Sequence, residues 1–167
     1  MKSLKLTPKK MAVIGITAAV YAVLTIFMPI PAYGEIQCRL SEALNLLAFI
    51  NPIFAPGIIL GCFIANLFSP MPLDIIIGTA ATALAMLFIV KFSKNLFIAS
   101  LYPTIFNGII IGAELTFVFL EQKTIIGFLI MAGSVMAGEF IAVTVIGYPI
   151  FRQIMKNDKL MKMLKDI

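Results

Sequence analysis

Six apolar runs, separated by short polar breaks, constrain this sequence more than any other feature. They fall at about 11–30, 43–50, 53–69, 72–90, 96–119 and 124–150. The first run and the last three reach the roughly 20 residues that a helix needs to cross a bilayer. The chain of 167 residues is only 13% charged, whereas soluble domains are about 25% charged. A soluble core of this size cannot hide so much apolar surface, so we expect an all-α integral membrane bundle.

The basic residues favour six membrane helices with both termini in the cytoplasm. Lys and Arg accumulate in cytoplasmic segments, and here they form three groups. The groups are Lys2, Lys5, Lys9 and Lys10; Lys91 and Lys94; and Arg152, Lys156, Lys159, Lys162 and Lys165. All three face the cytoplasm if residues 43–69 form two helices broken at NPIFAPG (51–57). If that region is one helix, there are five spans, and the last two groups lie outside.

The same reasoning divides the chain into three parts. Residues 1–10 form a basic cytoplasmic N-terminus, 11–150 a six-helix transmembrane domain, and 151–167 a basic amphipathic cytoplasmic tail. The tail is expected to lie on the anionic inner leaflet. The first apolar run is longer than the 7–15-residue core of a signal peptide and ends without a small-x-small cleavage site. We therefore expect it to be a retained membrane helix.

Several chemical functions are not expected. The chain has no His and two Cys, Cys38 and Cys62, so a metal site is not expected; whether the two cysteines ever pair stays open. The sequence contains no phosphate-binding G-x-x-x-x-G-K-[ST] loop, no G-x-S-x-G elbow and no H-E-x-x-H pair. We expect no catalytic residues, no cofactor and no nucleic-acid partner.

A few polar residues in or beside the apolar runs are candidates for a binding site, because charge inside a membrane usually faces a cavity or the bundle interior. The candidates are Arg39, Glu42, Asn66, Asp74, Asn107, Glu114 and Glu139. Asn107 and Glu114 lie two helical turns apart on one face, and Glu42 shares a face with Asn45. Structural alternatives stay open for Arg39 (a headgroup ion pair), Asp74 (a helix N-terminus) and Asn66 (a helix-to-helix hydrogen bond).

Small residues recur at helical spacing, which lets helices approach closely. The first run holds Gly15-x-x-x-Ala19 and Ala18-x-x-x-Ala22, the third holds Gly57, Gly61 and Ala65, and the fifth holds Gly108 and Gly112. Two interpretations follow. These rows pack helices inside the bundle, or the first helix docks on another membrane protein.

Five segments carry a resemblance to a known family. They are IQCRLSEALNLLAF (36–49), APGIILGCFIANLFS (55–69), LDIIIGTAATALA (73–85), FNGIIIGAEL (106–115) and GEFIAVTVIGYP (138–149). Over roughly residues 10–150 the chain resembles the QueT family, among the substrate-binding S components of energy-coupling factor (ECF) vitamin transporters. Arg39-Leu40-Ser41-Glu42 is the most specific part. This chain has Glu35 where the family usually has proline or another neutral residue.

The resemblance implies a transport subunit of the bacterial cell membrane rather than an enzyme. Such a subunit binds one vitamin-like molecule near the outer face, beneath the loops joining helices 1–2, 3–4 and 5–6. It then associates with a transmembrane coupling protein and two ATPases, which hydrolyse ATP. The implied docking face is on helix 1, formed by Gly15, Ala18, Ala19 and Ala22. Whether the partner module is dedicated or shared stays open.

The implied ligand is a 7-deazaguanine precursor of queuosine: queuine, or its aminomethyl or cyano precursor. A carboxylate can accept hydrogen bonds from the two adjacent donors of a guanine-like edge. An Asn or Arg can donate to the carbonyl of the ligand. The cation of the aminomethyl form calls for a second carboxylate. Glu42 and Glu139 are the candidate carboxylates, with the other five polar candidates in support. The candidates for an aromatic wall are Tyr33, Tyr102, Phe106 and Tyr148; which of them line the pocket, and which 7-deazaguanine is preferred, stay open.

Three alternatives remain from the sequence. The chain is an S component for another vitamin, such as a thiamine precursor or a flavin; a structural membrane subunit without a ligand; or a membrane-embedded enzyme using its carboxylates for acid–base work. Binding of a small molecule to the isolated chain separates transport from the last two.

Overall fold

The fold was obtained as a computed structural model that describes residues 7–28, 38–120 and 124–167. Throughout these ranges the regular elements are helical, which confirms the all-α prediction. Tyr33 and Glu35, named above, lie outside the described residues, as do Lys2 and Lys5.

Seven helices follow one another along the described chain. They are α1 (Pro8–Phe27), α2 (Leu40–Ile50), α3 (Phe54–Asn66), α4 (Pro72–Phe92), α5 (Leu96–Phe119), α6 (Ile125–Met155) and α7 (Asp158–Lys165). Helix α2 is a 3₁₀-helix as far as Leu46, α4 opens with a 3₁₀ turn, and α6 contains a π-helix over Phe140–Gly147. The predicted break is confirmed, because α2 ends at Ile50 and α3 begins at Phe54.

Four of these helices, α1, α4, α5 and α6, are long and apolar enough to cross a membrane. Helices α2 and α3 are apolar but shorter. At 1.5 Å per residue, the 13 residues of α3 cover about 20 Å, less than the roughly 30 Å of a bilayer core. The structure therefore has four candidate spans, and the count of six stays a prediction.

Local capping explains where three long helices begin. Thr7 accepts a hydrogen bond from the Lys10 backbone N–H and Pro8 occupies the first turn of α1. Asn95 Oδ1 accepts from the Ile98 backbone N–H at 2.9 Å, and Thr124 opens α6 in the same way. Each side chain satisfies an N–H group that the first helical turn leaves without a partner.

Glycines set two of the closest helix contacts, as one interpretation of the small-residue rows predicted. A Cβ added at Gly61 of α3 would lie 2.7 Å from the Ala18 carbonyl oxygen of α1. A Cβ at Gly112 of α5 would lie 2.5 Å from the Ala132 Cα of α6. Larger residues at these glycines would force the paired helices apart.

One end of the bundle, called here the basic end, gathers the start of α1, the end of α7 and two connections. Lys9 Nζ donates to the Asp166 carbonyl at 3.2 Å, and Asn51 Nδ2 donates to the Leu164 carbonyl at 3.0 Å. Asn95, at the start of α5, lines a cavity together with Arg152 and Lys156. The larger apolar core includes Phe54, Leu96 and Phe151 beneath this end and extends up to Tyr21 and Leu46.

The α3–α4 connection and the end of α5 lie at the opposite end, called here the polar end. The basic segments among the described residues lie at one end of the bundle. This agrees with the sequence prediction that they share one side of a membrane.

Candidate functional site

A buried cluster of polar side chains extends from the polar end of the bundle to its middle, because Asn107 lies halfway along α5 and Glu139 lies near the middle of α6. Its members, called here the polar cluster, are Tyr21, Arg39, Glu42, Asn45, Asn66, Asp74, Asn107, Glu114 and Glu139. Each is at most 4% exposed. The cluster includes every polar residue that the sequence marked as a ligand candidate, and these residues come from α2, α3, α4, α5 and α6.

Glu42 is held by donors on both carboxylate oxygens. In a 3₁₀-helix residues i and i+3 are eclipsed, so Asn45 lies directly beside Glu42 on α2. The Asn45 side-chain amide donates to Glu42 Oε2, and the Tyr21 hydroxyl of α1 donates to Glu42 Oε1. The 3₁₀ start of α2 therefore fixes the orientation of this carboxylate.

Arg39 connects the start of α2 to α3 and α4. Its Nη1 donates to Asn66 Oδ1 at 3.1 Å, and its Nη2 lies 3.7 Å from Asp74 Oδ2. Asn66 Nδ2 in turn donates to the Asp74 backbone carbonyl at 2.8 Å. The structural alternative for Asn66, a hydrogen bond between helices, is therefore present, and the ion pair of Arg39 is buried and made with Asp74.

Glu139 of α6 is paired with Asn107 of α5. Asn107 Nδ2 donates to Glu139 Oε1 at 2.9 Å. Among the described residues, Glu139 Oε2 and Asn107 Oδ1 have no hydrogen-bond partner. Glu139 also interacts electrostatically with Glu42, so two buried carboxylates lie near each other across α2 and α6.

The π-helix directly after Glu139 brings α2 and α6 together. A π turn is rare and often marks a functional site. Within it, Gly147 lacks the side chain that would meet α2: a Cβ there would lie 3.0 Å from Ala43 Cβ. Ala43 follows Glu42 in the chain, so this close approach positions Glu42 against the segment that carries Glu139.

Glu114 lies at the outermost turn of the cluster. Neither of its carboxylate oxygens has a hydrogen-bond partner among the described residues. It interacts with Asp74 and, more weakly, with Arg39. Asn107 and Glu114 both face the bundle interior, as their spacing on α5 predicted.

The four residues predicted as a docking face divide into two rows. Ala18 and Ala22 are 2% and 5% exposed, and Ala18 packs against Gly61 of α3. Gly15 and Ala19 are exposed, and a Cβ added at Gly15 would meet nothing within 4 Å. Ala18 and Ala22 therefore serve packing within the chain, while docking through the outward row stays a prediction.

Sequence reasoning missed Tyr21, which donates to Glu42. A signal was present, because Thr17, Tyr21 and Thr25 form a polar stripe at i, i+4 spacing on the buried face of α1. Thr25 also approaches α2, where its hydroxyl lies 2.6 Å from that of Ser41.

The aromatic residues predicted as candidates for a pocket wall pack with other aromatic side chains. Among those that the structure describes, Tyr102 and Phe106 pack with Phe88, and Tyr148 packs with Phe97.

Neither cysteine is in a disulfide. Cys38 and Cys62 are free thiols, and the buried Cys62 Sγ lies 3.3 Å from Thr82 Oγ1. Among the described residues, no group of three or more His, Cys, Asp or Glu residues is arranged to hold a metal ion.

Comparison with known proteins assigns the family. The model of the QueT transporter family matches residues 11–156. A curated relative, "Queuosine precursor transporter QueT" of Lactococcus lactis subsp. cremoris, is 37% identical over 90 residues, which is 50% of this chain and 53% of the relative. The chain thus spans about half the length of the curated relative it matches, and no solved structure matches it. Because the family model covers most of the sequence, this protein belongs to the QueT transporter family.

Proposed function

We propose that this multi-pass membrane protein binds a 7-deazaguanine precursor of queuosine in the polar cluster and delivers it inward as the S component of an ECF transporter. The observation that carries the binding proposal is the buried pairing of Glu139 with Asn107, which leaves acceptor atoms open among the described residues. Unsatisfied polar groups inside an apolar bundle are costly. They are expected where a ligand completes the hydrogen bonding.

The chemistry of a 7-deazaguanine fits this arrangement. Its guanine-like edge presents two adjacent N–H donors, which a carboxylate such as Glu139 accepts side by side. Its carbonyl needs a donor, and Arg39 of the cluster supplies N–H groups. The printed name of the curated relative also specifies a queuosine precursor.

The distribution of charge supports an outward-facing site. Exposed basic residues gather at the basic end and the polar cluster lies at the other. By the positive-inside rule the basic end faces the cytoplasm, which places both termini inside and the polar cluster toward the outer face. In this proposal, α2 and α3 complete a six-helix membrane domain although each is shorter than a full span.

Transport requires energy that this sequence does not supply. It contains no phosphate-binding loop, so the proposal includes a transmembrane coupling protein and two ATPase subunits. The exposed row Gly15 and Ala19, flanked by exposed Ile16 and Val20, is the proposed contact with the coupling protein. Small residues let two membrane helices approach closely.

Calorimetric titration of the purified full chain in detergent tests the proposal. The panel contains queuine, its aminomethyl and cyano precursors, guanine, thiamine and riboflavin. We expect tight binding of at least one 7-deazaguanine and much weaker binding of guanine. Tight binding of thiamine or riboflavin instead would mean that the ligand is a different vitamin. If the folded protein binds no compound of the panel, a structural role is favoured.

Two conservative substitutions test the residues. Glu42→Gln and Glu139→Gln keep the side-chain volume and remove a charged acceptor, which typically weakens binding by at least roughly tenfold. Asp158→Asn, at the exposed start of α7, is the matched control and should bind as the unmodified chain does. Unchanged affinity in both Gln variants would remove Glu42 and Glu139 from the site.

A further inference from the structure

A cavity at the basic end lies apart from the polar cluster and has no part in the proposed function. Its volume is about 470 Å³, and it lies between the first turn of α5 and the last turns of α6. None of its lining residues belongs to the polar cluster. Its charge and its apolar lining together indicate what it can bind.

The charge of the cavity is positive. Tyr148 and Arg152 are four residues apart on α6, and Lys156 follows four residues later, so these three lining side chains share one face. Arg152 and Lys156 are exposed, and neither is in an ion pair among the described residues. No acidic residue is among the described residues that line the cavity, and Asp158 lines a neighbouring depression. The complementary ligand is therefore an anion.

Much of the remaining lining is apolar. Leu96 and Phe97 of α5 and Met155 of α6 contribute it. The Phe97 ring packs edge to face on that of Tyr148, with ring centroids 5.9 Å apart. Phe97 and Met155 are still partly exposed, so a ligand can contact both. A small soluble anion would gain little from these apolar side chains, whereas a ligand with hydrocarbon chains would bury them.

The cavity lies where two candidate membrane spans end. The span of α5 begins at Leu96 and that of α6 ends at Met155. Phe97, Leu101 and Ile105 recur at i, i+4 spacing along one face of α5, and Phe97 and Ile105 are exposed. This apolar row leads from the cavity toward the middle of the span, which is the course that an acyl chain takes from its head group.

We propose that this cavity binds an anionic phospholipid, with the phosphate group at Arg152 and Lys156 and an acyl chain along the apolar row of α5. A guanidinium can donate two parallel hydrogen bonds to a phosphate, and a lysine adds a point charge. Basic pockets between membrane helices suit anionic head groups. Such a bound lipid differs from the general attraction of the basic tail to an anionic surface, and it does not depend on the ligand of the polar cluster.

The first test compares three probes on the unmodified full chain in a non-ionic detergent. Dioctanoyl phosphatidylglycerol, dioctanoyl phosphatidylcholine and glycerol 3-phosphate are titrated, and bound molecules are counted by native mass spectrometry. We expect phosphatidylglycerol to bind at least about tenfold more tightly than either other probe. Equal binding of the two lipids would overturn the role of charge. Equally tight binding of glycerol 3-phosphate would identify a soluble anion as the ligand and overturn the lipid.

The second test localises the charge. The double variant Arg152→Gln/Lys156→Gln should weaken phosphatidylglycerol binding at least about tenfold. Lys162→Gln/Lys165→Gln is the matched control, because it removes two exposed cations of α7 that do not line the cavity; it should change binding by less than about twofold. Circular dichroism and thermal unfolding without lipid verify that both variants are folded. Equal weakening by the two double variants would show general attraction to the tail and overturn the site.

The third test examines the acyl chain. Phe97→Ala should weaken phosphatidylglycerol binding about threefold or more, because apolar contact is lost, and leave binding of glycerol 3-phosphate unchanged. Ile109→Ala is the control, since Ile109 is equally exposed and lies more than three turns further along α5. Equal phosphatidylglycerol binding by the two variants would contradict the assignment of the acyl chain to this row.

Discussion

The two ends of the bundle handle charge in opposite ways. At the basic end, Arg152 and Lys156 are exposed and the core beneath them is apolar. At the polar end, Glu42 and Glu139 are buried and bonded to side chains from other helices. Exposed cations cost little and can orient a chain in a membrane, whereas buried carboxylates are expensive. The basic residues that would orient the chain and the carboxylates proposed for binding are therefore separate sets.

The ends also differ in how completely their polar groups are satisfied. At the basic end, Asn51 donates to the Leu164 carbonyl and also accepts from the Ile53 backbone N–H, which closes the break between α2 and α3. At the polar end, Glu139 and Glu114 keep open acceptors among the described residues. The first arrangement stabilises a turn, and the second leaves buried acceptor atoms without a partner among the described residues.

The largest effect is expected in an experiment on which side of the membrane each end faces. Pro70 lies at the polar end and Lys94 at the basic end, and both are exposed. With Cys38 and Cys62 replaced by Ser, single Pro70→Cys and Lys94→Cys chains are treated with a membrane-impermeant maleimide. We expect nearly complete labelling at position 70 in intact cells and labelling at position 94 only after permeabilisation. Labelling at position 94 in intact cells would reverse the orientation; the cysteine-free chain is the control.

The next largest effect is expected from Glu42→Ala. The substitution leaves the Tyr21 hydroxyl and the Asn45 amide buried without their common acceptor. At about 1–3 kcal/mol for each unsatisfied donor, the free energy of unfolding should fall by roughly 2–6 kcal/mol. Chemical unfolding in detergent measures this, with Asp158→Asn unchanged as the control. A Glu42→Ala chain of normal stability would show that these bonds do not stabilise the polar end.

A smaller effect is expected where α1 meets α3. Gly61→Ala places a methyl group 2.7 Å from the Ala18 carbonyl oxygen and from Tyr21 Cβ. Overpacking of this kind costs about 1–3 kcal/mol, and moving Tyr21 should also weaken ligand binding. Gly15→Ala is the matched control, because its added methyl group meets nothing within 4 Å. Equal unfolding free energies for the two variants would argue against close packing of α1 on α3.

The smallest effect is expected at the basic end. Lys156 is exposed, so Lys156→Gln should change the free energy of unfolding by less than about 0.5 kcal/mol and leave ligand affinity unchanged. Unfolding and titration of the variant beside the unmodified chain measure both. A clear loss of affinity would show that the basic end takes part in binding and would weaken the division between the two ends.

Much of the site was predictable because a membrane-like sequence makes buried charge conspicuous. Glu139 and Asn107 stood out in apolar runs and are bonded to each other in the structure. Tyr21 was missed because an aromatic residue in an apolar helix looks like ordinary core. The pairing of Arg39 with Asp74 was missed because these residues are 35 positions apart, and local spacing says nothing about such contacts.

The helical class, the break between α2 and α3 and the grouping of basic residues could be predicted because hydrophobic length, proline and charge act locally along the chain. Which acceptors are satisfied could not be predicted, because that depends on how helices distant in sequence meet. The tertiary structure also decided that Ala18 packs inside while Gly15 faces outward. Small-residue spacing is the same on both faces of α1, and only the position of α3 distinguishes them.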